Sequence, residues 1–82
     1  MIIQKTSNPR ISSFDPNNFS FGTTFGDHML ICEYENGAWG EPKIMPYGPL
    51  PITPANMTFN YGQACFEGMK AYKDENDEVF LF

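Results

Sequence analysis

The chain has 82 residues, of which 41% are apolar and 18% charged, and carries a formal charge of −5. That length allows at most one domain with a small core. Five Lys and Arg in total form no basic stripe, so nucleic acid and anionic membrane surfaces are not expected partners. Eight Phe, four Tyr and one Trp suit a folded domain rather than a disordered one. These rings either fill a core or face a partner surface.

Cys32 and Cys65 are too sparse for a disulfide scaffold. With His28 as the only histidine and no Cys-x-x-Cys, there is no zinc pattern. Two reduced, partly buried thiols are expected. No apolar run reaches the roughly 18 residues that read as a membrane span. Met1 to Arg10 lacks the apolar core of a secretory signal, so a cytoplasmic location is expected.

Residues 1–20 read as an irregular arm. Asn8-Pro9, Ser12-Ser13 and Asp15-Pro16-Asn17-Asn18 are turn formers. Scattered apolar residues (Ile2, Ile3, Ile11, Phe14, Phe19) could anchor it. Phe21-Gly-Thr-Thr-Phe-Gly-Asp27 is an aromatic and glycine-containing loop whose backbone can turn sharply.

His28 to Glu35 reads as a strand. Its apolar centre, Met29 to Cys32, predicts burial on both faces, and Glu33-Tyr34-Glu35 alternates. Asn36-Gly37 predicts a tight hairpin turn. A second strand is expected from Trp39 to about Met45, with Pro42 at an edge or a bulge because it cannot donate to a ladder. Trp39 is expected to cap the hairpin by packing.

Pro46 to Pro54, with four prolines, predicts an extended connector. Thr53-Pro54 then pairs an N-cap residue with proline at a first helical position. A helix is expected over 54–66, with Gly62 inside it and Gly68 near its stop. Ala55, Met57, Phe59 and Tyr61 alternate, which would suit a strand; the capping pair favours helix. Met69 to Lys73 and Glu78 to Phe82 form a second hairpin, turning at Asp74-Glu75-Asn76-Asp77. Val79 to Phe82 is continuously apolar and predicts burial on both faces. A buried strand at a chain end is unusual, which implies a longer polypeptide. The fold class expected is α+β: antiparallel hairpins with one main helix.

Two blocks carry a family resemblance. Phe21-Gly-Thr-Thr-Phe-Gly-Asp-His-Met-Leu30 resembles the entry motif of branched-chain amino-acid aminotransferases. Asn60-Tyr-Gly-Gln-Ala-Cys-Phe-Glu-Gly-Met-Lys70 resembles their helix-to-strand segment. The second pattern, Tyr-x-x-x-x-Phe-Glu-Gly, occurs widely among pyridoxal-phosphate enzymes of fold type IV; the first is more particular. The intervening Glu33, Trp39-Gly40, Pro42, Pro46, Leu50 and Pro54-Ala55 fit as well, and the match runs from Phe21 to Phe82.

The resemblance implies a two-domain enzyme, a homodimer or larger, with pyridoxal 5'-phosphate between its domains. The chain would then be an arm (1–20) and a truncated N-terminal small domain (21–82). The amino group would move between leucine, isoleucine or valine and 2-oxoglutarate. The cofactor-binding lysine would come from the C-terminal domain, so no catalytic, cofactor-binding or metal-binding residue is expected here. Phe21, Tyr61 and Phe66 align with aromatic positions that line the branched side-chain pocket. An aliphatic side chain offers only shape and apolar surface, and rigid rings read these at low entropic cost. Tyr61 and Phe66 are about 140° apart on a continuous helix, so the helix ends near Phe66 or one ring belongs to the core.

Lys70 is expected to be solvated rather than reactive, Glu67 structural, and His28 engaged in a fixed hydrogen bond. Two other readings stay open: another fold-type IV enzyme (a D-amino-acid aminotransferase or aminodeoxychorismate lyase), or a stand-alone binding module using its aromatic surface.

Overall fold

The computed structural model describes residues 1–82. They form two units, Met1–Leu50 and Pro51–Phe82.

In the first unit, β1 (Ile2–Ile3), β2 (His28–Ile31), β3 (Tyr34–Glu35), β4 (Ala38–Trp39) and β5 (Lys43–Pro46) make two small sheets. A three-stranded sheet runs β1-β5-β2, with β2 antiparallel and β1 parallel to β5. Ile2 and Ile3 thus anchor the arm: the Ile2 amide donates to the Pro42 carbonyl at 2.9 Å and the Gln4 amide to Ile44 at 2.7 Å. The Met1 ammonium pairs with Glu41. One 3₁₀ turn, Ile11–Ser13, interrupts the otherwise irregular arm.

The Asn36-Gly37 turn forms as expected. Both residues take positive φ, +53° and +80°, which lets a two-residue loop follow the strands' right-handed twist. Tyr34 faces Trp39 across it, ring centroids 5.1 Å apart in an edge-on pair. Trp39 packs on the hairpin as expected.

The single strand expected over His28–Glu35 divides in two. The ladder pairs Ile31 with Lys43 on one side of the break and Tyr34 with Trp39 on the other. Between these pairs, Cys32 and Glu33 oppose three residues, Gly40, Glu41 and Pro42. The extra residue is a bulge. Pro42 lies in that bulge, a position proline tolerates, with its carbonyl turned to β1 to accept from the Ile2 amide, and pairing resumes one residue out of step where the Gly40 amide donates to the Glu33 carbonyl.

The second unit holds α1 (Met57–Tyr61) and a hairpin of β6 (Ala71–Lys73) and β7 (Val79–Leu81). Reciprocal backbone bonds between Lys70 and Phe82, at 3.0 and 2.8 Å, lengthen that hairpin. Its turn closes on Asp74, whose Oδ1 accepts from the amides of Asn76 and Glu78 at 2.8 and 2.9 Å.

The helix expected over 54–66 is only five residues long. Asn56, not Thr53, is its N-cap: Asn56 Oδ1 accepts from the Thr58 amide at 2.8 Å. Gly62, expected inside the helix, ends it at φ +61°. Gly68 lies outside regular structure. A helix shorter than about 12 residues depends on packing for stability, and no residue of α1 is buried.

Burial is the second correction. No side chain is buried in either unit. Met29, Ile31 and Cys32 are half-buried while Leu30 is exposed, and Val79 to Phe82 are all exposed. Both runs were expected to be covered on two faces. Each sheet here is a single layer, with no second layer in its own unit to cover it.

Candidate functional site

Phe21 sits in a turn, where the amides of Thr23 and Thr24 donate to the Ser20 carbonyl at 3.4 and 3.1 Å. Its ring is 99% exposed. The neighbouring aromatics are engaged: Phe14 meets Phe19 at 5.5 Å, and Phe25 stacks on Tyr47 at 5.0 Å with 11° between planes. Residues 10–27 surround an open cavity of about 820 Å³ lined in part by Ile11, Phe14, Phe19 and Phe25, and Phe21 is not part of that lining.

In the second unit, Tyr61 is the last residue of α1 and is 74% exposed. Phe66 lies beyond Gly62 in an extended stretch and is 97% exposed. Because the helix stops at Tyr61, the two rings are not held to helical spacing. The ambiguity of a 140° separation is removed, since neither ring is in a core. Thr58 Oγ1 donates to the Gln63 carbonyl at 3.1 Å, and the Gln63 amide donates to Met57 at 3.3 Å. These bonds fix how the chain leaves the helix.

The residues expected to be bystanders are placed as follows. Lys70 is exposed beside β6. Glu67 Oε1 accepts from the amide of its neighbour Gly68 at 3.3 Å. His28 Nε2 accepts from the Thr6 amide at 3.0 Å, a fixed hydrogen bond as expected. Both thiols are unpaired; Cys65 is exposed rather than partly buried, and Cys32 is half-buried with Sγ 3.5 Å from the Gly40 carbonyl.

The best-connected polar group is one that sequence reasoning passed over. Asp27 accepts from the backbone amide of Arg10 through Oδ1 and Oδ2, each at 3.0 Å, and from Arg10 Nε at 3.1 Å. Arg10 Nη2 donates to the carbonyls of Gly26 at 2.8 Å and Phe25 at 3.3 Å. The Asp27 side chain is only 14% exposed. Its carboxyl is held below the usual carboxylate range, chiefly by the Arg10 amide and then by the guanidinium, although partial removal from water works the other way. The available signal was that Arg10 is the only arginine, in a turn-rich arm with no other cation after Lys5.

A phosphate-bearing cofactor needs converging amides or cations. Arg10 is committed to Asp27, and the cap amide of α1 is taken by Asn56. Lys70 and Lys73 are exposed, and Lys73 lies 3.5 Å from Asp77. The residues of neither unit assemble such a cradle, so no chemical step is assigned to them through a cofactor. No three His, Cys, Asp or Glu side chains cluster as metal ligands. No helix is long and apolar enough to cross a membrane.

Comparison with known proteins gives a consistent result. No family model matches the chain. It is 51% identical over 69 residues to branched-chain-amino-acid aminotransferase 2 of Bacillus subtilis, covering 83% of this chain and 19% of that protein. It is 39% identical over 83 residues to the branched-chain-amino-acid aminotransferase of Monosiga brevicollis, covering 100% of this chain and 21% of that protein. The cytosolic branched-chain-amino-acid aminotransferase of Mus musculus is 42% identical over 69 residues, covering 83% of this chain and 18% of that protein. The chain spans about a fifth of the length of the curated relatives it matches.

Proposed function

We infer that the chain, a homologue of branched-chain-amino-acid aminotransferases over most of its length, is a portion of such an enzyme. It would form much of a small N-terminal domain in a two-domain, cytoplasmic protein that is a homodimer or larger. The reaction proposed for the whole protein moves the amino group between leucine, isoleucine or valine and 2-oxoglutarate. The cofactor proposed for it is pyridoxal phosphate, held by residues outside this chain, as is the catalytic lysine. The observation that carries this reading is identity of 39–51% through 83–100% of the chain, to relatives named for that activity.

The chain's own contribution is apolar surface. Phe21, Tyr61 and Phe66 each contact the branched side chain of the substrate. Phe21 and Phe66 are the two most exposed large apolar side chains, so packing within their own units does not consume them. A bound aliphatic side chain releases water from such a ring face, and each methylene discriminates by about 1–3 kcal/mol. Tyr61 combines an apolar ring with a hydroxyl. The ring serves leucine, and the hydroxyl can donate to the side-chain carboxylate of glutamate.

The test uses the intact protein. Wild type is expected to transaminate leucine, isoleucine and valine and to leave D-alanine untouched. Phe66→Ala is expected to lower kcat/KM for leucine relative to glutamate by about tenfold, the scale of one or two methylene contacts. Preference for D-alanine would refute the substrate class. An unchanged leucine-to-glutamate ratio in Phe66→Ala would refute the wall.

A further inference from the structure

Phe21 projects from a loop whose two ends meet. Residues 14–24 make only local bonds, such as Asn18 to Asp15, Thr23 and Thr24 to Ser20, and Ser20 to the Thr24 hydroxyl. No strand pairing holds this stretch to the sheet. The ends are joined instead by five bonds from one residue, since Arg10 donates its backbone amide twice and Nε once to Asp27, and Nη2 to Phe25 and Gly26. The far side of the junction is itself fixed, because the Tyr47 amide donates to the Asp27 carbonyl at 2.9 Å and β2 begins at His28. A loop with closed ends and its own internal ring pair is the construction of an Ω-loop, a form that often presents functional residues.

We propose that Arg10 is a positioning residue: it clasps Asp27, Phe25 and Gly26 to hold the Phe21 loop in place, and so sets selectivity for branched side chains. This rests on the reading of Phe21 as a substrate wall. The guanidinium is suited to the task because one rigid planar fork reaches a carboxylate and two carbonyls together; an ammonium is a point charge on a flexible stem. Arg10→Lys therefore keeps the charge and loses the fork, while Arg10→Met keeps the apolar stem and loses every side-chain donor. The backbone amide of residue 10 still reaches Asp27 in both, so the loop loosens rather than unfolds.

Two readouts in the intact protein test this. Amide hydrogen exchange across residues 11–26 is expected to rise in Arg10→Met, and to rise nearly as much in Arg10→Lys. In both variants kcat/KM for leucine is expected to fall by about tenfold, the scale of one lost methylene contact, mostly through KM, while that for glutamate changes little. Phe21→Ala, run in parallel, is expected to produce the same selectivity loss without the exchange change. Unchanged exchange in Arg10→Met would overturn the clasp. Raised exchange with unchanged leucine-to-glutamate selectivity would overturn its role in specificity and leave the proposed function standing. If Phe21→Ala leaves selectivity unchanged, the reading of Phe21 fails and the role of Arg10 in specificity fails with it. Full rescue by Arg10→Lys would show that charge alone is at work, contradicting the fork.

Discussion

Asp27 shows how a single carboxylate can organise a loop without any core. Its two oxygens take three donors from Arg10, and hydrogen bonds to the charged form favour that form. Its folded-state pKa therefore lies below the ordinary value of 3.8. A depressed carboxylate stabilises the fold at pH above its unfolded value and loses that contribution as pH falls through the folded one. The clasp is expected to be intact at neutral pH and to open only below about 3.8. The Arg10 backbone amide resonance, followed by NMR through acid titration, should shift with a midpoint below 3.8. A midpoint at or above 3.8 would contradict the assignment. This contact was not legible in the sequence, because a polar pair 17 residues apart leaves no periodic trace. Phe21, Tyr61 and Phe66 could be singled out because the motifs around them resemble a known family; composition alone did not distinguish them from the other ten aromatics.

At the scale of elements, local turn chemistry was the most legible feature. Asn36-Gly37 and the Asp74–Asp77 turn both form where expected, because positive φ at Asn36, Gly37 and Asp77 and acceptance by Asp74 are properties of a few adjacent residues. The bulge at Pro42 was legible for the same reason: a proline inside a strand marks an edge or a bulge by its own chemistry. The helix bounds were not. Thr53-Pro54 and Asn56 are competing caps three residues apart, and the choice between them falls to the Asn56–Thr58 bond. Gly62 fixes the other end. Its φ of +61° is a left-handed conformation, and an added Cβ would meet nothing within 4 Å, so the cost of a side chain there is purely conformational. Gly62→Ala is expected to destabilise the intact protein by about 1–2 kcal/mol, and Gly62→Asn by less, since asparagine tolerates that region. Chemical denaturation measures both. Equal stability of Gly62→Ala and wild type would contradict a left-handed cap.

Over the whole molecule, the pattern of apolar sequence and the pattern of burial disagree. Met29 to Cys32 and Val79 to Phe82 are written as strands for a two-sided interior, yet no side chain is buried in either unit. Strand identity follows from residues within the chain, whereas burial requires a covering layer that these units do not themselves provide. In the larger enzyme proposed above those faces would be covered by residues outside this chain, which spans about a fifth of the length of the curated relatives it matches. The same reasoning separates the walls from the chemistry. Exposed rings can shape a pocket, but neither unit gathers the cations or amides to seat a phosphate. The most direct test is formation of glutamate from leucine and 2-oxoglutarate, measured for the intact protein and for the 82-residue chain alone, both supplied with pyridoxal phosphate. Turnover by the intact protein and none by the isolated chain is the expected result. No leucine-dependent turnover by the intact protein, or turnover by the 82 residues on their own, would contradict it.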